Sequence, residues 1–292
     1  MCRKMSNFTD YSLKNSSNQM EKLRILFATM EIDPFLKLSE AADFIRSLPE
    51  GLQDKGHEIR ILMPKFGVIN ERRNRLHEVV RLSGINIRVG NEEKPLTIKV
   101  ASIPNARLQV YFLDNEDYFQ RKSVLTDPEN NQFHQDNDER SIFFCKGVIE
   151  TVKKLGWTPN IVHCHGWMTS LIPLYLRTQF KEDPTFKDSK IVFTVYNNGE
   201  VDQPLPPNFA DKAHIEGLSE ELLKPYNSDT YMGMTEGSIN LSDAVTLGAT
   251  SVDTRIESLV KEQPAIVQDH FSPADPTEAV DYYDKLYQSI LN

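Results

Sequence analysis

The stretch LRILFATMEIDPFLKLSEAADFIRSLPEGLQDKGHEIRILMP (23–64) contains one complete strand–helix–strand pattern. Its first six residues (23–28) form a short apolar run that is typical of a buried strand. Residues 39–55 carry apolar side chains three or four positions apart and end beside Gly56, which predicts a helix with a glycine C-cap. EIRILMP (58–64) predicts the next strand, so the stretch indicates a β-α-β unit.

The rest of the chain repeats this alternation. Further strands are predicted at 160–164, 190–196 and 243–247, and further helices at 140–156, 167–180, 250–261 and 277–291. The stretch 97–114 predicts a hairpin that is inserted or lies at an edge. This spacing predicts the fold class α/β: a single Rossmann-like, doubly wound domain with a mostly parallel sheet and a β-hairpin addition.

The composition indicates a globular protein. Hydrophobic residues make up 39% of the 292 residues and charged residues 26%. No apolar run approaches the length of a membrane span, and the net charge of −9 without a basic stripe argues against nucleic acid. Three widely spaced cysteines fit a reducing compartment. We therefore expect a cytoplasmic protein with neither a membrane nor a nucleic acid as partner.

The chain divides into three parts. Residues 1–20 are polar and lack the apolar core of a signal peptide, which predicts a disordered leader; Met20 is an alternative start. Residues 21–262 form the predicted domain. Residues 263–292 form a connector with several prolines and a C-terminal helix that we expect to pack back on the domain.

The first candidate for chemistry is HCHGWMTSLIPLYL (163–176), because ligands of a doubly wound sheet bind beyond the carboxyl ends of its strands. Strand alternation places His163 and His165 on one face and Cys164 on the other. A histidine pair can bind a metal, but it needs a third ligand, and the other five histidines are scattered. A polar strand end that lines a pocket is favoured, and no metal is expected.

The second candidate is MEIDPFLKLSEAADF (30–44), which follows the first strand and opens the first helix. A glycine-rich phosphate loop would occupy this position, since backbone N–H groups must approach the anion there. The stretch has no glycine, and Glu40 would repel a phosphate. A capped helix start with Ser39 as N-cap is therefore favoured.

Two further stretches have a structural and a functional interpretation. Asn197, Asn198 and Gly199 suit a tight turn, although their amides could also bind sugar hydroxyls. DNDER (136–140) could supply paired carboxylates, but an acidic first turn of a helix is the commoner reason for such a cluster.

Taken in order, these stretches resemble the bacterial glycogen synthases and plant starch synthases, glycosyltransferase family 5, over about residues 22–261. Lys37 and Asp43 lie in a segment similar to the family's lysine-threonine-glycine-glycine loop and the Leu-Ala-Asp after it. NIVHCHGWMTSLIPLYL (160–176) is similar to the His-Asp-Trp-His junction. The remaining matches are VFTVYNN (192–198) to Phe-Thr-Ile-His-Asn and SDAVTLGATSVDTRI (242–256) to Ala-Asp-x-Val-Thr-x-Val-Ser-Pro.

The resemblance implies the amino-terminal half of a GT-B fold, in which two Rossmann-like domains face a cleft. The family reaction is the retaining transfer of glucose from ADP-glucose to an α-1,4-glucan, and no cofactor is expected. By resemblance the chain is thus a hexosyltransferase domain whose ligands are an α-glucan and ADP-glucose. The second domain holds most nucleotide contacts, and the connector before the last helix is too short to contain it.

The resemblance also assigns donor-binding or sugar-binding positions, which are Lys37, Asp43, His165, Trp167 and Asn197. Several positions depart from the family pattern. Ser39 and Glu40 replace the two glycines of the loop, and Gly248 and Ala249 interrupt the Val-Ser-Pro. Gly166 replaces an Asp, Met168 replaces the His that is expected to contact the transferred glucose, and Tyr196 replaces the His of the third motif. No residue is therefore assigned a catalytic role.

These departures and the missing domain make the chain a pseudoenzyme candidate that does not transfer glucose unaided. One alternative is half of a split synthase that works with a separate nucleotide-binding chain. Another is a non-catalytic α-glucan-binding or regulatory protein, for which Trp167, Tyr196 and Phe35 are candidates for stacking on sugar rings. A third is a domain whose ancestral site is dead.

Overall fold

The structure is a computed structural model, and it describes residues 21–196, 199–213, 219–262, 266–268, 270 and 276–292. The predicted leader at 1–20 and the candidate Asn197 lie outside these residues. Within the described part of the chain, no helix has the length and apolar character needed to cross a membrane.

The predicted alternation of strands and helices holds for β1-α1-β2 and for α3-β7-α4-β8, whereas β2 to β6 follow one another without a helix between them. The strands are β1 (Arg24–Ala28), β2 (Glu58–Pro64), β3 (His77–Glu78), β4 (Ile85–Val89), β5 (Glu92–Ser102), β6 (Gln109–Asp114), β7 (Ile161–His165), β8 (Lys190–Val195), β9 (Ala244–Leu247) and β10 (Ile266–Gln268). The helices are α1 (Ala41–Asp54), α2 (Glu116–Phe119), α3 (Asn137–Leu155), α4 (Leu171–Arg177), α5 (Phe209–Ala213), α6 (Glu220–Leu223), α7 (Met232–Leu241), α8 (Thr254–Glu262) and α9 (Pro276–Leu291).

The strands form one mixed sheet in the order β10-β9-β8-β7-β1-β2-β6-β5-β3, with β4 also paired to β5. All strands from β10 to β6 are parallel, and β5 runs antiparallel to β6. The chain leaves β1 toward β2 on one side and later returns to β7 on the other. β1 and β7 therefore flank the point where the strand order reverses, which is where doubly wound sheets bind ligands.

Helices cover both faces of the sheet, so its central strands are buried on both sides. Ile25, Leu26 and Phe27 in β1 are fully buried, which is the pattern of a parallel strand between two layers of helices. On one face α1 packs against α9; on the other α3, α4 and α7 pack in sequence. Gly51 of α1 lies so close to α9 that an added Cβ would be 2.3 Å from Cγ2 of Val280.

Several boundaries differ from the sequence prediction. The 97–114 hairpin is confirmed as β5 and β6, but β6 pairs parallel with β2 and belongs to the main sheet. The helix predicted at 167–180 is a 3₁₀ turn (Trp167–Thr169) followed by the short α4. Ser39 is not the N-cap as predicted: α1 begins at Ala41, and Glu40 flanks it without a side-chain cap.

Candidate functional site

The carboxyl ends of β1, β7 and β8 enclose a small pocket, which we call the switch pocket. It is lined by Thr29, Met30, Glu31, Ser39, Ala41, Ile45, His165, Gly166, Trp167, Met168 and Tyr196. Its cavity volume is about 20 Å³, which is room for about one water-sized group. The topology thus brings most of the predicted site residues together, but around a space far smaller than a sugar ring.

His163 is a structural residue of the sheet. Its Nδ1 atom lies 2.7 Å from the hydroxyl of Tyr287 in α9, and its Nε2 atom lies 2.7 Å from the Thr194 hydroxyl in β8. That hydroxyl lies 2.6 Å from the hydroxyl of Thr246 in β9. A metal could bind His163 only after one of these buried hydrogen bonds broke. Across the described residues, no group of three His, Cys, Asp or Glu side chains is placed to hold a metal ion.

His165 lies on the same face as His163, as predicted, with a distance of 4.0 Å between the ring centroids. Its Nδ1 atom lies 2.9 Å from the Tyr196 hydroxyl, whereas its buried Nε2 atom has no hydrogen-bond partner among the described residues. Burial lowers the pKa of His165 to about 3, so the ring is neutral near pH 7. It can therefore accept or donate a hydrogen bond there but is a poor proton acceptor for catalysis.

Tyr196 lines the switch pocket, and Gly248 after β9 makes room for its ring. A Cβ at Gly248 would lie 2.3 Å from the Cε1 atom of the Tyr196 ring. Any residue with a side chain at position 248 would therefore clash with the Tyr196 ring. Sequence reasoning noted both residues as departures from the family pattern but did not connect them, because the two strand ends are distant in the chain.

Gly166 is constrained by its backbone. It follows β7 directly, with φ 73° and ψ 175°, a region that only glycine adopts readily. The aspartate that the resemblance places here would be strained in this conformation. Glycine thus fits the backbone conformation observed here, and the position carries no carboxylate.

The loop before α1 holds an internal anion that sequence reasoning missed. One carboxylate oxygen of the buried Glu31 accepts hydrogen bonds from the backbone N–H groups of Leu38 and Ser39, at 2.6 and 2.8 Å. Its other oxygen accepts a 2.6 Å bond from the Ser39 hydroxyl. Consecutive N–H groups that converge on an anion form the usual backbone site for a phosphate. Glu31 occupies those N–H groups.

Lys37 and Asp43 are paired with each other outside the lining of the switch pocket. The Lys37 ammonium lies 2.5 Å from the Asp43 carboxylate, and both side chains are about half exposed. The hydrogen bond that Lys37 donates to the Asp43 carboxylate raises the pKa of Lys37. Their predicted role toward a donor phosphate stays a prediction.

The predicted stacking aromatics are mostly buried. Trp167 is 2% exposed and packs edge-to-face on Tyr231, and Phe35 is 7% exposed against Phe112. Met168 is buried as well, beside Trp167. Among the three aromatics, Tyr196 alone is partly exposed.

The acidic stretch 136–140 starts α3, as predicted, and its carboxylates are held in ion pairs. Asp136 pairs with Arg121, and Asp138 and Glu139 both pair with Lys212. The hydrogen bond from Arg121 keeps the pKa of Asp136 low despite its burial, whereas burial raises the pKa of Asp138. These side chains hold α5 and the 121–136 loop against α3, which supports the structural interpretation.

A larger groove, which we call the loop groove, lies between residues 126–135 and 203–207. Its cavity volume is about 800 Å³. Its lining combines the rings of Phe133 and Tyr231 with prolines and with amides, which are Asn131, Gln132, Gln135 and Gln203. Phe133 is partly buried and lies 5.7 Å from Trp167, ring centroid to ring centroid, so the groove adjoins the wall of the switch pocket.

Comparison with known proteins identifies relatives over most of the chain. The family model for the starch synthase catalytic domain matches residues 24–256. A glycogen synthase of Chlorobium phaeobacteroides is 44% identical over 174 residues, which are 60% of this chain and 36% of the relative. A glycogen synthase of Chlorobaculum parvum is 41% identical over 201 residues, covering 68% of this chain and 41% of the relative.

A solved structure has the same fold. The catalytic domain of starch synthase IV from Arabidopsis thaliana, bound to ADP and acarbose, matches with a TM-score of 0.69 at 18% identity. The match covers 87% of this chain and 53% of that one. The chain thus spans about half or less of the length of these relatives.

Proposed function

Because the chain belongs to the family of starch synthase catalytic domains, we propose that it is a glycogen/starch synthase-like glycosyltransferase domain that binds α-glucan but does not transfer glucose alone. The closed switch pocket carries this proposal. Pockets that bind small molecules enclose about 300–1,000 Å³, whereas the switch pocket encloses about 20 Å³. A glucosyl group has no room beside His165 in this arrangement.

The short connection between α8 and α9 supports the same conclusion. Residues 263–275, which include β10, connect α8 to α9, and a domain needs at least about 50 residues. α9 packs on α1 and reaches the sheet through Tyr287. We infer that α9 corresponds to the helix that returns to the amino-terminal domain in two-domain relatives, with the connector in place of the second domain.

The loop groove is the proposed glucan site. A glucose ring offers apolar C–H faces and a rim of hydroxyl groups, so it binds to aromatic rings flanked by hydrogen-bonding side chains. The groove presents Phe133 beside four amide side chains, and its volume falls within the range of ligand pockets. The proposed ligand agrees with the structure of the Arabidopsis relative, which was bound to ADP and acarbose.

The split-synthase alternative is less well supported. Its partner chain would cover the carboxyl edge of the sheet, and such interfaces require a contiguous apolar patch. In the described part of that edge, the large apolar side chains that are exposed are Leu38 and Val68. Two separate side chains do not make such a patch.

One experiment tests transfer and binding together. The purified chain is incubated with radiolabelled ADP-glucose and glycogen, with the Chlorobium phaeobacteroides glycogen synthase as positive control. Glycogen affinity is measured in parallel by affinity electrophoresis. We expect glycogen binding without incorporation of label. Incorporation at rates typical of enzymes would overturn the proposal of inactivity, and a chain that does not bind glycogen would overturn the proposed ligand.

A matched pair of variants tests the location of the glucan. Phe133→Ala removes the ring in the groove, and Phe180→Ala removes another partly buried ring that lies outside it. We expect F133A to weaken glycogen binding at least tenfold and F180A to leave it unchanged. Equal affinities of the two variants would refute the groove as the binding site.

A further inference from the structure

We propose that Tyr196 closes the switch pocket to hexoses, because its phenol ring occupies the space that a hexose ring would take. Gly248 allows this position of the ring because it has no side chain. We call Tyr196 the plug and Gly248 its seat. The inference goes beyond the proposed loss of transfer, because it names the residue pair that closes the site. It rests on the family assignment only for the class of ligand.

The first observation is the match between the plug and the pocket. The Tyr196 side chain is a six-membered ring with one hydroxyl, and that hydroxyl lies 2.9 Å from Nδ1 of His165. The ring stands over Gly166, where a Cβ would lie 3.7 Å from its Cδ2 atom. The ring is thus held at its hydroxyl end by His165 and along one edge by the turn after β7.

The second observation is the seat. A Cβ at Gly248 would lie within 2.8 Å of three ring atoms of Tyr196, distances that packed carbon atoms do not reach. The Gly248 N–H donates a 2.7 Å hydrogen bond to the Val195 carbonyl oxygen, which fixes the β9 end beside Tyr196. The tyrosine and the glycine therefore depend on each other: the ring fits only over a residue without a side chain.

The third observation is an unused polar group behind the plug. Nε2 of His165 is buried, and no described residue hydrogen-bonds to it. Native structures rarely leave such an atom unpaired. Glu31 and Ser39 line the same pocket. Removing the Tyr196 ring would open a space of about the size of that ring beside Nε2 of His165. A ring with several hydroxyls, which is the chemistry of a hexose, would find a hydrogen-bond partner there.

The test compares Tyr196→Ala with the wild-type chain. D-glucose is titrated into protein labelled with ¹⁵N-histidine, and the ring nitrogen signals of His165 report binding at the pocket. We expect Y196A to bind glucose at least tenfold more tightly than the wild-type chain. Tyr196→Phe, which keeps the ring and loses the hydroxyl, should stay closed. Equal affinity of Y196A and the wild-type chain would overturn the proposal, as would binding of phenol but not glucose by Y196A.

A second measurement tests the seat and does not depend on a ligand. Gly248→Ala is introduced into the wild-type chain and into the Y196A background, and thermal unfolding midpoints are compared. We expect Gly248→Ala to lower the unfolding midpoint strongly when Tyr196 is present and much less in Y196A. The reason is that the effects of substitutions at two residues in direct contact do not add. An equal loss in both backgrounds would refute the coupling. If Y196A does not fold, Tyr196→His serves the same comparison.

Failure of this inference is distinguishable from failure of the proposed function. Glycogen binding in the loop groove is tested by the affinity of F133A for glycogen, and hexose binding in the switch pocket is tested by the ring nitrogen signals of His165. A chain that binds glycogen through the groove and also binds glucose at His165 with Tyr196 in place would refute the plug alone.

Discussion

The hydrogen bond between α9 and the central sheet offers a test of what holds the C-terminal helix in place. Tyr287→Phe removes the hydroxyl that lies 2.7 Å from Nδ1 of His163 and leaves the ring packed. Both side chains are 0% exposed, so water cannot replace the lost partner. The nitrogen then carries the cost of an unsatisfied buried polar group, about 1–3 kcal/mol. We expect the free energy of unfolding to fall by that amount.

The matched control is Tyr226→Phe. The Tyr226 side chain is 1% exposed, and its hydroxyl finds no hydrogen-bond partner within the described part of the chain. Removing this hydroxyl should be neutral or stabilising by up to about 1 kcal/mol, because no bond is lost. Both substitutions remove the hydroxyl group of a buried tyrosine. They differ in that only the Tyr287 hydroxyl makes a hydrogen bond, the one with His163.

Urea denaturation followed by circular dichroism measures both variants. With a slope of about 3 kcal/mol per M, a loss of 1–3 kcal/mol lowers the midpoint by about 0.3–1 M at unchanged slope. A Y287F midpoint within error of that of Y226F would refute the reasoning, since it would show that the His163 contact does not stabilise α9 on the sheet.

Three further predictions concern the site and the packing of α9. The folded pKa of His165 lies near 3 and the unfolded one near 6.5, so the unfolded chain binds the extra proton between these values. Protonation of His165 in the unfolded chain should therefore lower the free energy of unfolding by about 2 kcal/mol between pH 7 and pH 5, in addition to the contribution of His163, whose pKa burial also lowers. His165→Asn, compared by urea denaturation at both pH values, should lose the His165 part of the dependence. Gly166→Ala should cost about 1–3 kcal/mol in the same assay, because alanine is strained at φ 73° and ψ 175°; an unchanged midpoint would contradict that backbone conformation. Gly51→Val should lower the thermal midpoint through a clash with Val280, and Val280→Ala should recover part of the loss if the two side chains meet as described.

Much of the fold was predictable because its signals are local. The apolar runs of β1, β2, β7, β8 and β9 and the helical spacing of α1, α3 and α9 follow from which face each residue presents. The same alternation placed His163 and His165 on one face, and the structure confirms it. The family resemblance is also confirmed, by the match over residues 24–256.

Helix α7 shows where local signals fail. Its sequence MGMTEGSINL includes Gly233 and Gly237, which are poor helix formers, and no helix was predicted there. A Cβ at Gly233 would lie 2.0 Å from the Pro225 carbonyl oxygen, and one at Gly237 would lie 2.2 Å from the Tyr226 ring. Close packing requires both glycines, so tertiary contacts stabilise this helix against its propensity.

The sequence by itself determined the order of the main parallel strands and of the helices α1, α3 and α9, the family, and the strand ends that carry the site, because each of these depends on neighbours along the chain. Only the tertiary structure decided what those strand ends enclose. Register across β7, β8 and β9 sets the Tyr196 hydroxyl on His165 and its ring over Gly248, and the path of the loop brings Glu31 to the N–H groups of Leu38 and Ser39. Those contacts join residues from separate strands and loops, and a pattern read along one segment contains no information about the distance between two.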